Sequence, residues 1–158
     1  MNIKDKVSQR IINIKPSGIR KFSDYARQFD DVISLGVGEP DYDTPQYICN
    51  KAIQAIQDGQ THYTANRGLL SLRQAICDYY QARYDVAYDA NKHVIVTTGS
   101  SEGIDLAIRT LIDPGDEIII PNPGYVAYES AVRAANGKMV FLPLDEEHQF
   151  KIQPDILE

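Results

Sequence analysis

Short apolar runs dominate the second half of the chain. Val94-Ile95-Val96, Ile118-Ile119-Ile120 and Met139-Val140-Phe141-Leu142 each have the length and β-branched content of a buried parallel strand. Helical spacing fills the gaps: Ile104, Ala107, Ile108 and Leu111 line one helix, and Tyr125, Tyr128, Val132 and Ala135 line the next, which ends before Gly137. This strand–helix–strand–helix–strand order predicts an α/β layered fold, a mostly parallel sheet with flanking helices and right-handed crossovers. Upstream, Ile48, Ala52, Ala55 and Ile56 share a helix face between Thr44, the expected N-cap, with Pro45 at the first helical position, and Gly59 beyond the end. Leu69, Leu72, Ile76, Tyr79 and Tyr80 mark a second helix over about 69–84. Residues 1–34 read as an extended polar N-terminal arm with room for a short opening helix, interrupted at Pro16, Ser17 and Gly18. Residues 153–158 have the proline and acidic residues of a helix start, so the expected organisation is an arm over 1–34 and an incomplete domain over 35–158.

Composition narrows the function classes. With 158 residues, 43% hydrophobic and 24% charged, the chain fits a globular protein, not a disordered or fibrous one. The net charge of −6 and the scattered basic residues argue against a nucleic-acid partner. No apolar stretch reaches membrane-spanning length and the N-terminus lacks a signal-peptide core, so no membrane partner and a cytoplasmic location are expected. Cys49 and Cys77 fall in expected helices without zinc or redox spacing and read as buried free thiols; no metal site is expected.

Two segments carry candidate chemistry. Thr97-Thr98-Gly99-Ser100-Ser101-Glu102-Gly103 lies between a strand and a helix, where free N–H groups and the helix dipole can hold a phosphate without cationic side chains. Gly99 permits the turn, and the Ser100 and Ser101 hydroxyls can add hydrogen bonds; the same segment also reads as a plain Ser-capped helix start. Pro121-Asn122-Pro123-Gly124-Tyr125 follows the next strand at the sheet edge where ligands of open α/β folds sit. There Tyr125 can stack on a flat heteroaromatic ring or face the core, and Tyr128 reads as core-facing. Gly36-Val37-Gly38-Glu39-Pro40-Asp41 says only turn, and the polar connection Thr61–Gly68 is an exposed loop between helices.

Together these segments resemble class I/II aminotransferases of the fold-type I pyridoxal-phosphate superfamily. The resemblance runs from about Ser17 to the last residue through Leu35–Asp41 with Thr44-Pro45, Tyr63-Thr64 with Gly68 and Leu72-Arg73, Thr98–Gly103, Pro114–Glu117 and Pro121–Tyr125. The arm Ser17–Ser23 looks like the aromatic-amino-acid or N-acetyl-diaminopimelate aminotransferase subgroup. The resemblance implies the N-terminal part of the superfamily's large domain, with pyridoxal 5'-phosphate as cofactor. It places Gly99, Ser100 and Ser101 at the cofactor phosphate and Tyr125 on the pyridine ring. Tyr63 would reach the phosphate of the partner subunit in a homodimer, and Gly38 and Ile19 would lie on the substrate side. The implied activity is transamination between an L-amino acid and a 2-oxo acid in amino-acid metabolism. No catalytic residue is expected here, because none of Lys4, Lys6, Lys15, Lys21, Lys51, Lys92, Lys138 and Lys151 matches the Schiff-base lysine's context, which lies outside this chain. Three rivals remain open: a carbon–sulfur lyase of the same superfamily, a non-catalytic aminotransferase-like segment, and a small nucleotide-binding module.

Overall fold

The computed structural model describes residues 6–12, 14, 18–33, 35–36 and 38–157, with Arg10 and Arg20 described by backbone alone. In chain order its elements are α1 (Gln9–Ile12), α2 (Gly18–Ala26), α3 (Gln46–Gln57), α4 (Leu70–Tyr84), α5 (Ser100–Leu111), β1 (Glu117–Asn122), α6 (Val126–Ala134) and β2 (Lys138–Pro143), then a 3-10 turn at Pro154–Ile156. They fall into two compact units, one of residues 1–21 with 98–158 and one of residues 22–97.

The first unit is built on a β–α–β crossover. β1 and β2 pair in parallel, in register from Glu117 opposite Lys138 to Asn122 opposite Pro143. A parallel pair needs a connection long enough to carry the chain back, and α6 supplies it. The helix packs on both strands and against α5 and α1. The core of this unit is Ile120, Leu142, Ala131, Val132 and Ala134, all buried. α6 stops in a Schellman arrangement: Asn136 takes φ +61°, its N–H donates to the Arg133 carbonyl at 3.1 Å, and the Gly137 N–H donates to the Val132 carbonyl at 3.0 Å. The α/β architecture with a parallel sheet and flanking helices is therefore the one the apolar runs predict.

Ile119 and Val140, which face each other across the ladder, are exposed, as are Phe141 and Leu111. The chain's accessible surface is 13726 Å². Each strand also has a single ladder partner among the described residues. Unpaired edges beside uncovered apolar side chains promote association. The purified chain is accordingly expected to self-associate as its concentration rises; a monomer mass in light scattering across the range would contradict this.

The second unit contains α3 and α4, and its buried residues are Cys77, Ala90 and the charged Arg73. The Arg73 guanidinium, on α4, donates to the Gly68 carbonyl at 3.2 Å and to the Ala90 carbonyl. Arg67 donates to the Asn91 carbonyl, and the Val96 N–H donates to the Arg67 carbonyl at 3.0 Å. These bonds tie the connection between the helices to the segment that follows α4, and they satisfy a charge whose burial would otherwise be costly. Gly68 lies at the centre of this knot, with φ +87° and a hypothetical Cβ only 2.7 Å from Val96 Cβ.

Three local expectations differ from the structure. Val94–Val96 forms no strand: extended β-branched residues become a strand only with a ladder partner, and the described sheet holds β1 and β2 alone. α3 begins one residue later than expected, with Pro45 rather than Thr44 at the N-cap, and the Thr44 carbonyl instead accepts from the Cys49 thiol at 3.4 Å. That leaves Cys49 half-buried, whereas Cys77 is buried as expected; both thiols are free.

Candidate functional site

The first unit brings two helix N-termini together. α5 opens on Gly99, whose φ of +85° and ψ of 165° turn the chain directly into the helix. A helix start carries N–H groups without intrahelical acceptors and the positive end of the dipole. Among the described residues, no protein acceptor meets the N–H groups of Ser100 and Ser101. The Glu102 carboxylate reaches back to accept from the Thr98 N–H, the glutamate half of a capping box displaced by one residue. The start of α5 is thus held by Glu102, with no serine side-chain cap. That leaves the exposed Ser100 and Ser101 hydroxyls available to an acceptor from outside.

Tyr125 is the N-cap of α6 and arrives at the same place from the end of β1. Its hydroxyl lies 3.3 Å from Ser101 Oγ. Its ring makes an edge-to-face contact with Tyr128, centroids 5.6 Å apart and planes at 89°. The turn that delivers it is tight: a Cβ on Gly124 would lie 2.2 Å from the Pro121 carbonyl oxygen, a backbone atom that cannot move aside cheaply. Tyr125 remains 47% exposed, enough to offer a ring face to a ligand, while Tyr128 is half-buried.

This donor set suits a phosphate monoester attached to a flat ring. The backbone N–H and hydroxyl groups of Ser100 and Ser101 can bind the anion, and an adjacent aromatic ring can take the planar part. Among the described residues no cluster of three or more His, Cys, Asp or Glu is arranged to hold a metal, and no helix is long and apolar enough to cross a membrane.

The remaining candidates lie on other elements. Tyr63 belongs to the second unit and is 106% exposed. Gly38, also in the second unit, has open space around a hypothetical Cβ. Ile19 is half-buried in α2. Sequence reasoning quoted Glu102 and Gly124 without giving either a role. The signal for Glu102 was present, since an acidic residue three positions after an N-cap is the capping-box spacing. The signal for Gly124 was not, because only the folded turn brings the Pro121 carbonyl beneath it.

Residues 30–158 match the family model described as aminotransferase class I and II. An aspartate aminotransferase of Pyrococcus horikoshii is 42% identical over 151 residues, which cover 96% of this chain and 38% of that protein. A probable N-acetyl-LL-diaminopimelate aminotransferase of Bacillus subtilis is 43% identical over 145 residues, covering 92% of this chain and 37% of that protein. Among solved structures, the aspartate aminotransferase of Thermus thermophilus with maleate superposes with a TM-score of 0.89 at 30% identity, over 96% of this chain and 40% of that one. The chain spans less than two fifths of the length of either of these relatives. Near-equal identity to proteins named for different substrates leaves the subgroup undistinguished.

Proposed function

The chain belongs to the class I and II aminotransferase family, and from that premise we propose that it supplies the phosphate- and ring-binding part of a pyridoxal 5'-phosphate site. In a protein of the relatives' full length, that site would serve transamination between an L-amino acid and a 2-oxo acid. The observation that carries the reading is the convergence of Ser101 and Tyr125, 3.3 Å apart at two helix N-termini. Ser100 and Ser101, with the turn at Gly99, would hold the phosphate, and Tyr125 would stack on the pyridine. When bound, pyridoxal phosphate supplies the electron sink that labilises bonds at an amino acid's α-carbon. The chain's own contribution is to bind the anion, orient the ring and shield one face of it from water.

The same proposal extends to the other candidates. Tyr63, with its ring wholly exposed, would reach the phosphate of a partner subunit in a homodimer. Gly38 and Ile19 would lie on the substrate side of that site. The arm Ser17–Ser23 favours the aromatic or N-acetyl-diaminopimelate subgroup, and a cytoplasmic location accompanies that metabolic role.

Titration of the chain with pyridoxal phosphate, followed by absorbance, tests the cofactor site. Saturable binding is expected. Tyr125→Ala should weaken it roughly two- to twelvefold, the equivalent of the roughly 0.5–1.5 kcal/mol that an aromatic stack adds beyond burial. Unchanged affinity in the variant would remove Tyr125 from the site, and absence of saturable binding to the wild type would reject the cofactor reading.

A further inference from the structure

The Tyr125 ring would suffice for stacking, yet the structure also employs its hydroxyl. Tyr125 OH and Ser101 Oγ lie 3.3 Å apart, and either atom can be the donor. A phosphate oxygen accepts hydrogen bonds and is ionised at neutral pH. Ser101 therefore has to point its own proton at the anion, and its lone pair is then free to accept from Tyr125. With Ser101 donating to the anion, the bond between the two hydroxyls runs from Tyr125 to Ser101.

Three contacts hold Tyr125 where it can do this. The Pro121–Gly124 turn fixes its backbone, Tyr128 meets the edge of its ring, and Ser101 meets its hydroxyl. Ser101 is positioned in turn by the start of α5, which Glu102 pins through the Thr98 N–H. Both hydroxyls are on exposed residues, so in the free chain water competes for the bond. A flat ligand seated against Tyr125 would exclude that water, and a hydrogen bond strengthens as its surroundings become less polar.

We propose that the Tyr125 hydroxyl is a positioning element of the phosphate seat, orienting the Ser101 hydroxyl toward a bound phosphate monoester, and that the Ser101–Tyr125 coupling grows when the ligand binds. This rests on the cofactor reading given above and adds to it that the aromatic position requires tyrosine, not merely a ring.

A double-mutant cycle on the full chain, with Ser101→Ala, Tyr125→Phe and the double variant, tests it. Tyr125→Phe keeps the ring and removes the hydroxyl. Each single variant is expected to weaken pyridoxal phosphate binding roughly three- to tenfold, the range a net hydrogen bond supplies. The double variant should be no weaker than Ser101→Ala alone, and Tyr125→Phe should cost less affinity for pyridoxal, which has no phosphate, than for pyridoxal phosphate. Additive losses, or wild-type affinity in Tyr125→Phe, would overturn the proposal while leaving the cofactor reading intact.

A second readout does not depend on the cofactor. In chain labelled with 13Cζ-tyrosine, the resonance lost in Tyr125→Phe identifies Tyr125. Inorganic phosphate should move that resonance in the wild type and should fail to move it in Ser101→Ala. A Tyr125 signal indifferent to phosphate, or equally responsive without the serine hydroxyl, would refute the coupling. If the wild type bound no pyridoxal phosphate, the cofactor reading would fall and the NMR result would still decide for or against the hydroxyl pair.

Discussion

Gly68→Ala is expected to remove a large part of the stability of the unit formed by residues 22–97. At φ +87° any side chain strains the backbone, and an added Cβ would lie 2.7 Å from Val96 Cβ and 2.8 Å from Val96 Cγ2. The left-handed backbone costs a non-glycine residue about 1–2 kcal/mol, and overpacking adds about 1–3 kcal/mol. The clash is with a Cβ, so a rotamer change cannot relieve it and the Val94–Val96 segment itself has to shift. That shift pulls on the Val96 N–H bond to the Arg67 carbonyl and on the Arg73 bond to Gly68 itself. The sum, about 2–5 kcal/mol, compares with roughly 4–11 kcal/mol of total stability for a unit of this length. Urea denaturation of the variant should show this loss, whereas Gly18→Ala, with nothing within 4 Å and no positive φ, should change little. Equal stability of the two variants would mean that Gly68 does not make the close approach described.

The second large effect is on chemistry. The isolated chain, supplied with pyridoxal phosphate, an L-amino acid and a 2-oxo acid, is expected to give no turnover above that of the free cofactor. Borohydride reduction should spread label over several lysines instead of concentrating it on one. Transamination at enzymic rates depends on an amine held against the reacting carbon, and effective molarities of about 10⁵–10⁸ M arise only from such positioning. The described lysines, Lys6, Lys21, Lys51, Lys92, Lys138 and Lys151, are all exposed. Lys92 is held 3.6 Å from Asp89 and Lys151 donates to Gln149 at 2.8 Å, so neither is directed into a ligand site. Stoichiometric labelling of a single lysine, together with turnover, would show that this chain holds a complete catalytic centre.

Much of the architecture was legible in the linear pattern because its causes are local. The run Ile118–Ile120, the run Met139–Leu142 and the helical spacing from Tyr125 to Ala135 name a parallel pair and its crossover, since a continuous apolar run and a one-sided helical pattern have different periods. α4 was placed within one residue for the same reason. The helix start at Gly99–Ser101 was legible as well, because a glycine and two serines between an apolar run and a helical pattern can be recognised before any fold is known. Val94–Val96 marks the limit of such reasoning. Its composition is that of a strand, but a strand is a relation between segments, and the Val96 N–H found the Arg67 carbonyl.

Residue chemistry and local spacing indicated most of the elements and named candidates for anion binding and ring stacking. What they left open are the relations that arise when distant segments meet. Tyr125 OH stands 3.3 Å from Ser101 although 24 residues separate them, Gly124 is pressed against the Pro121 carbonyl, and Arg73 is buried among carbonyls of two loops. Each depends on the angle at which one helix start or turn approaches another. Packing sets that angle across the whole unit, and no window of neighbouring residues encodes it.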